Sequence, residues 1–331
     1  GSKLGLSRNF TLGINGAPAG GGGTRYETNF FQAARLGTAD SPALDDVAGV
    51  NLNIMEINST LAYHLPETRH HFGVSLVLGI ARFRAFGIDL FDPFTQNTGT
   101  SKDFSDQGND WSYGAGLRFG WLGDYGSLTL GASLSSKVYM SHYSRYEELL
   151  AEDGDMDIPP VMGVGVGYQW SPQWRLGMDL THTFYSQVRS ISNPGPNLAG
   201  DPTGPLDPET QQLGQKNGLG FGWNDQTVIK LGVEYRKDQK LTLRGGWNYG
   251  KSPIDENRQI IFNLLAPAIT QNHLTMGASY QLSPVSAINV SFVHAYQFEQ
   301  SGPTYVSDDG SNQGSFKMHQ NSIGVSYSSN F

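Results

Sequence analysis

Apolar residues recur at every second position through most of the chain, with glycine or small polar residues between them. Leu128, Leu130, Ala132, Leu134, Val138 and Met140 alternate with Thr129, Gly131, Ser133, Ser135, Lys137 and Tyr139. Met162, Val164, Val166, Tyr168 and Trp170 alternate with Gly163, Gly165, Gly167 and Gln169, and the stretches 174–181, 229–235 and 274–280 repeat the pattern. A period of two is the signature of a strand with one apolar face and one polar or empty face. It predicts about twelve strands, at 8–14, 50–64, 71–85, 109–122, 127–142, 160–170, 174–190, 223–236, 240–250, 272–282, 288–299 and 317–331.

A soluble sandwich alternates too, so the connections decide. Tight turns at Pro66-Glu67-Thr68, Gly123–Gly126, Ser171-Pro172-Gln173, Lys237-Asp238 and Ser283-Pro284 take turns with long segments near 15–49, 86–108, 143–159, 191–222, 251–271 and 300–316. Short periplasmic turns alternating with long extracellular loops are the mark of an outer-membrane barrel. Aromatic residues gather at strand ends beside the short turns, among them Tyr63, Trp121, Tyr125, Tyr168, Trp170, Trp174, Tyr235, Tyr280 and Tyr327. Amphipathic rings there suit the two membrane interfaces. The expected fold is therefore all-β: a transmembrane antiparallel β-barrel, one domain over 1–331, in a bacterial outer membrane.

Composition removes the competing classes. Glycine, at 42 of 331 residues, is about twice its usual level but lacks the three-residue period of collagen. The 6 Trp, 15 Tyr and 17 Phe are too many for a chain that stays disordered. A net charge of -8 with no basic stripe argues against nucleic acid as a partner. There is no cysteine, so neither disulfides nor thiolate metal sites arise. No apolar run approaches the ~18 residues of a spanning helix.

Several stretches resemble the FadL/TodX (OMPP1) family of outer-membrane transporters of long-chain fatty acids and other hydrophobic compounds. They are Leu12–Tyr26, Ser136–Met140 with Asp157-Ile158-Pro159, Gly218–Asp225, Leu241–Tyr249 with Ser252-Pro253, and Gln320–Tyr327. The resemblance implies a passive channel in which surface loops capture the ligand, an interior apolar pocket holds it, and a kinked strand lets it leave sideways. The family has fourteen strands and an N-terminal plug. The strand at 8–14 corresponds to the family's third, so the plug and first two strands are expected to be missing from this chain.

Asn15, Gly16, Ala17 and Pro18 interrupt a strand: proline lacks a ladder donor and glycine weakens pairing, so the wall is broken or bulged here, as a lateral gate on that reading or as the flexible start of a loop. Phe30 and Phe31, then Phe86, Leu90, Phe91 and Phe94, then Leu149 and Leu150 bring apolar side chains into loops. They form a capture groove for an acyl chain or hydrocarbon, or they pack the loops together. Glu56, Arg118, Lys137, Asp179, Lys230, Glu234 and Arg244 fall on the minor, lumen-side set. There Arg118, Lys137 or Arg244 would hold a ligand carboxylate, or tie the wall together in ion pairs. The terminal Phe331 is the expected signal for the barrel-assembly machinery, and lipid or lipopolysaccharide the expected surroundings.

No catalytic residue, cofactor or metal site is expected. Asp153, Asp155 and Asp157 lack the closing glutamate of a calcium loop. His64, His70 and His71 need a further ligand to hold zinc, and no Ser, His and acid stand at a suggestive spacing. The other candidate function is a water-filled porin for small polar solutes.

Overall fold

The structure is a computed structural model, and it describes residues 2–28, 47–97, 102–195, 212–254, 260–303 and 313–329. Phe30, Phe31 and Phe331 lie outside them. The strands are β1 (Ser2–Gly5), β2 (Phe10–Gly23), β3 (Gly49–His64), β4 (His70–Phe86), β5 (Asp110–Asp124), β6 (Leu128–Ser135) and β7 (Tyr139–Met140). They continue with β8 (Val161–Gln169), β9 (Trp174–Thr183), β10 (Gln226–Arg236), β11 (Leu241–Gly250), β12 (Asn272–Ser283), β13 (Ser286–Pro303) and β14 (Gln313–Ser329). All pair antiparallel with their neighbours in chain order, except that β8 follows β6 and the two-residue β7 pairs β5. β1 and β14 are the two edges of this sheet, and among the described residues no pairing joins them.

The alternation read from the sequence sets the two faces. Phe72, Val74, Leu76 and Leu78 of β4 are exposed on the outside, while Ser75, Val77, Gly79 and Ala81 between them are buried or lumen-facing. The same outward row crosses the ladder from Val74 through Phe119, Leu134 and Met162, each more than a third exposed. A wall so apolar is expected to face lipid, since soluble surfaces rarely carry contiguous apolar patches of this extent. No helix among the described residues is long and apolar enough to cross a membrane. Below the row, Trp174 and Tyr235 meet at 4.5 Å between ring centroids, and Trp170 and Tyr327 stand exposed, the aromatic belt expected beside the short turns.

The strand expected at 174–190 stops at Thr183, ahead of short helical turns over Tyr185–Gln187 and Arg189–Ser192, and three other expectations change. The strand expected at 8–14 runs on to Gly23, pairing with β3 on both sides of a bulge between Pro18 and Gly20. Proline is tolerated there for a reason of register. Phe10 turns its carbonyl toward the β1 side (Leu6 N–H, 3.0 Å) and Asn9 toward β3 (His64 N–H, 2.8 Å), so the even position 18 points its nitrogen away from β3. Beyond Ile14, β2 has no ladder partner on that side among the described residues, and an edge tolerates the missing N–H.

The strand expected at 127–142 breaks at Ser136–Val138, where the register against β5 shifts by one residue. Val138 and Met140, expected on the same face as Leu134, are instead 3% and 7% exposed inside, and Tyr139 is 69% exposed. The count also rises, to thirteen ladder positions plus β7.

The bulge makes a glycine obligatory. A Cβ at Gly114 would run into the carbonyl oxygen of Tyr139 and the sulfur of Met140. Gly114→Ala is expected to loosen the β5–β7 pairing and to lower stability by about 1–3 kcal/mol. Thermal unfolding, beside a Gly120→Ala control whose Cβ would meet nothing, checks it.

Candidate functional site

The interior divides into two storeys, one filled by apolar side chains and one an open cavity that carries charged groups among apolar ones. At the loop end, Val50 of β3, Phe83 of β4 and Met140 of β7 meet Phe91, Leu149, Leu150, Leu219, Phe262 and Leu265 from four different loops in one buried cluster. Phe91 stands edge-on to Phe262 at 5.2 Å, and Phe83 edge-on to Tyr146 at 4.9 Å. The cavity left among Val50, Phe83, Leu149, Leu150, Leu219, Phe221, Phe262 and Leu265 is about 10 Å³, room for at most one water. The segment 260–265 is tied down by the end of β2: the Thr24 hydroxyl donates to Leu265 O (2.7 Å) and the Tyr26 hydroxyl to Leu264 O (2.5 Å).

Toward the periplasmic end the lumen opens into a cavity of about 850 Å³ lined by Gly163, Gly165, Gly167, Arg175, Asp179, Lys230, Glu234 and Arg244. The β8 glycines leave the space that neighbouring side chains fill. A Cβ at Gly165 would overlap a carboxylate oxygen of Asp179, and one at Gly167 would lie 3.4 Å from the Arg175 guanidinium.

The expected site residues separate between these storeys. Phe91, Leu149 and Leu150 come together, but at 0%, 4% and 3% exposure they are the sealed centre of the loop cluster and not an open groove. Phe94 packs against the same cluster. Arg118 is fully engaged: Nη2 donates to Glu56 Oε2 (3.0 Å), Nη1 to Asn58 Oδ1 (3.1 Å) and Nε to Ser135 Oγ (2.6 Å). Arg244 donates to Glu234 Oε2 (2.8 Å) and Ser279 Oγ (2.6 Å). Lys137 sits in the bulge and reaches Asp157 Oδ2 at 3.2 Å, with Nζ 5.7 Å from the Tyr139 ring centroid. Arg118 and Arg244 thus tie strand to strand, and Lys137 ties the break between β6 and β7 to the segment that leads into β8.

Asn15, Gly16, Ala17 and Pro18 lie along the exposed part of β2. The histidines do not converge: His70 accepts from Trp121 Nε1 (3.2 Å), while His64 lies tilted against His71 at 4.6 Å. Among the described residues no three His, Asp or Glu side chains gather as for a metal.

Sequence reasoning missed Phe83, Phe262 and Arg175. Phe83 carried a readable signal, because a large ring at the top of the small-residue face of β4 has to fill the interior.

Outside the membrane, burial first and the Asp157 carboxylate second push the Asp155 carboxyl up to about 6, against the pull of His142 and Lys137. Its backbone carbonyl accepts the Ser190 hydroxyl. A raised carboxyl means that the folded loop binds the proton more tightly than the unfolded chain, so stability falls as pH rises toward 6 from the ordinary carboxylate range. Unfolding temperatures are expected to be higher at pH 5 than at pH 7.5, and Asp155→Asn is expected to flatten that difference.

A family model described as "Outer membrane protein transport protein (OMPP1/FadL/TodX)" matches residues 23–331. The chain belongs to this family. As an OMPP1/FadL/TodX protein it is an outer-membrane β-barrel, and its family consists of transport proteins, not enzymes.

Among solved structures, the P. putida toluene transporter TodX aligns with a TM-score of 0.60 and 17% identity, over 99% of this chain and 81% of TodX. The Ralstonia pickettii toluene transporter TbuX gives 0.59 and 16%, over 99% of this chain and 79% of TbuX. A Pseudomonas aeruginosa FadL homologue gives 0.61 and 11%, over 98% and 75%. At these identities the likeness shows the barrel fold. In sequence, Alkane uptake protein A of Marinobacter nauticus is 25% identical over 138 residues, 41% of this OMPP1/FadL/TodX chain and 28% of that relative's length.

Proposed function

We propose that this protein carries hydrophobic small molecules, such as long-chain fatty acids or hydrocarbons, passively across the outer membrane. The observation that carries this reading is the sealed apolar cluster above a polar lumen. It blocks the flow of water and ions, yet offers a low-energy environment to a ligand that can displace its side chains, each buried CH₂ being worth about 0.8 kcal/mol. Phe91, Phe94, Leu149 and Leu150 would yield to the ligand from the loop side. The bulge at Pro18–Gly20 on β2 would be a sideways exit into the bilayer, with Asn15–Pro18 at its margin. The names of TodX, TbuX and Alkane uptake protein A support an apolar cargo.

The polar cavity of about 850 Å³ favours one rival, a pore for small polar solutes. Cells lacking their own transporter and expressing this protein are expected to take up a labelled long-chain fatty acid or alkane saturably. The purified protein is expected to conduct little current in a planar bilayer. Large conductance without saturable uptake would decide for the porin.

A further inference from the structure

The outward face of the wall changes chemistry at one level. On β4 the outward side chains run Phe72, Val74, Leu76, Leu78 and Ile80, and the next two on that face are Arg82 and Arg84. The apolar run from 72 to 80 is about the length of strand that crosses a bilayer, so Arg82 stands where hydrocarbon gives way to headgroups. On β5, Trp111 lies opposite Arg82 and Tyr113 opposite Ile80, both exposed, as in an interfacial girdle. These strand ends lead into the long loop between β4 and β5, the extracellular side of an outer-membrane barrel. The level is that of the outer leaflet.

The two arginines lie about 7 Å apart along the strand. Asn53 and Asn51 face them from β3, and Arg82 Nη2 donates to Asn51 Oδ1 at 3.2 Å. Arg84 is exposed, with Cζ 5.0 Å from the Phe86 ring centroid. A guanidinium stacked on a ring keeps its N–H edge for an acceptor. Neither arginine makes an ion pair among the described residues, whereas Arg25, just past the end of β2, is held by Glu27 at 3.0 Å. On the β2 side, Gly23 and Gly21 pair with Asn51 and Asn53, so no side chain there closes over the patch. The chain carries a net charge of -8, yet here two cations stand together uncompensated. An anion between them would relieve their repulsion and take charge-assisted hydrogen bonds from both.

We propose that Arg82 and Arg84 bind the phosphate of an outer-leaflet lipid, whose acyl chains lie on the apolar row beneath, along Met55, Ile80 and Tyr113. Two planar forks side by side suit phosphate, which each can hold through paired N–H bonds. A free anion gains the arginines alone. A lipid gains both levels at once, because the cationic row stands directly on the row of Met55 and Ile80, which pair across β3 and β4. The site faces away from the lumen, and it needs only the outer-membrane setting of the family, not the transport reading above.

The test is native mass spectrometry of the whole chain in detergent, titrated with bis-phosphorylated lipid A. Arg82→Gln/Arg84→Gln is expected to bind it about 30-fold more weakly than the wild type. Arg82→Lys/Arg84→Lys, which keeps the charge but loses the fork, is expected to fall between them. Arg69→Gln, at the short turn before β4, is expected to bind as the wild type does. Lipid A stripped of its phosphates is expected to bind the wild type and the double glutamine variant alike. Should the double variant fold poorly, Arg84→Gln alone, at an exposed position, is expected to lose about 5-fold. Unchanged affinity in the folded glutamine variants overturns the site, as does equal wild-type affinity for lipid with and without phosphate. Displacement of the lipid by equimolar inorganic phosphate would leave a free-anion site, and displacement by equimolar long-chain fatty acid would assign the arginines to cargo. Either result overturns the lipid.

Discussion

Phe83→Ala is expected to lower stability by about 3–5 kcal/mol and to turn a barrel that passes little current into one that conducts. Phe83 is 3% exposed and stands edge-on to Tyr146 at 4.9 Å and tilted to Tyr143 at 5.6 Å. It also lines the residual cavity of about 10 Å³ beside Leu149, Leu150 and Phe262. Removing the ring takes away its transfer energy and leaves a void that the surrounding strands cannot collapse into, because β4 is held by full ladders on both sides. The void then joins the loop side to the polar lumen. Thermal unfolding reads the first effect and single-channel recording the second. Destabilisation with unchanged conductance would place the barrier to ions elsewhere.

The second large effect is expected at Arg118. Its guanidinium gathers Glu56, Asn58 and Ser135, so that it links β3 and β6 to its own strand, β5. Glu56 is 8% exposed, and Arg118→Met would leave that carboxylate without its cation. A buried pair broken on one side costs about 3–5 kcal/mol, an exposed one less than about 1. The Arg118 side chain is 38% exposed, which brings the expected loss to about 2 kcal/mol. Glu56→Gln/Arg118→Met together is expected to recover part of it, since no unpaired charge then remains. Equal losses in the single and double variants would mean that the two hydrogen bonds to the neutral Asn58 and Ser135 matter more than the ion pair.

The sequence made the wall readable because a strand's two faces have a fixed period, and a chain exposing Leu76, Leu78, Leu134 and Val164 on one face has to meet lipid. The long loops were readable as apolar, through Phe91, Leu149 and Leu150, but their sealing was not. Whether apolar loop residues line a groove or close on one another depends on loops from opposite sides of the barrel meeting, as Phe91 and Phe262 do. One local error came from a bulge, which inserts one residue without changing the local composition, so Val138 and Met140 still looked like partners of Leu134. At Pro18 a break or bulge was legible and a bulge is there, but not that the strand runs on to Gly23, because the sequence does not say which neighbour a backbone nitrogen faces.

The bare inner face of β8 carries a consequence for altering selectivity. At Gly165 the space a side chain would need is held by Asp179, a residue of the next strand. A side chain at position 165 would turn that carboxylate aside into the cavity of about 850 Å³. The two positions are therefore coupled: what a larger residue at 165 does to the lumen depends on which residue stands at 179, and paired changes such as Gly165→Ser with Asp179→Gly would move bulk from one strand to the other and reshape the lumen at nearly constant volume.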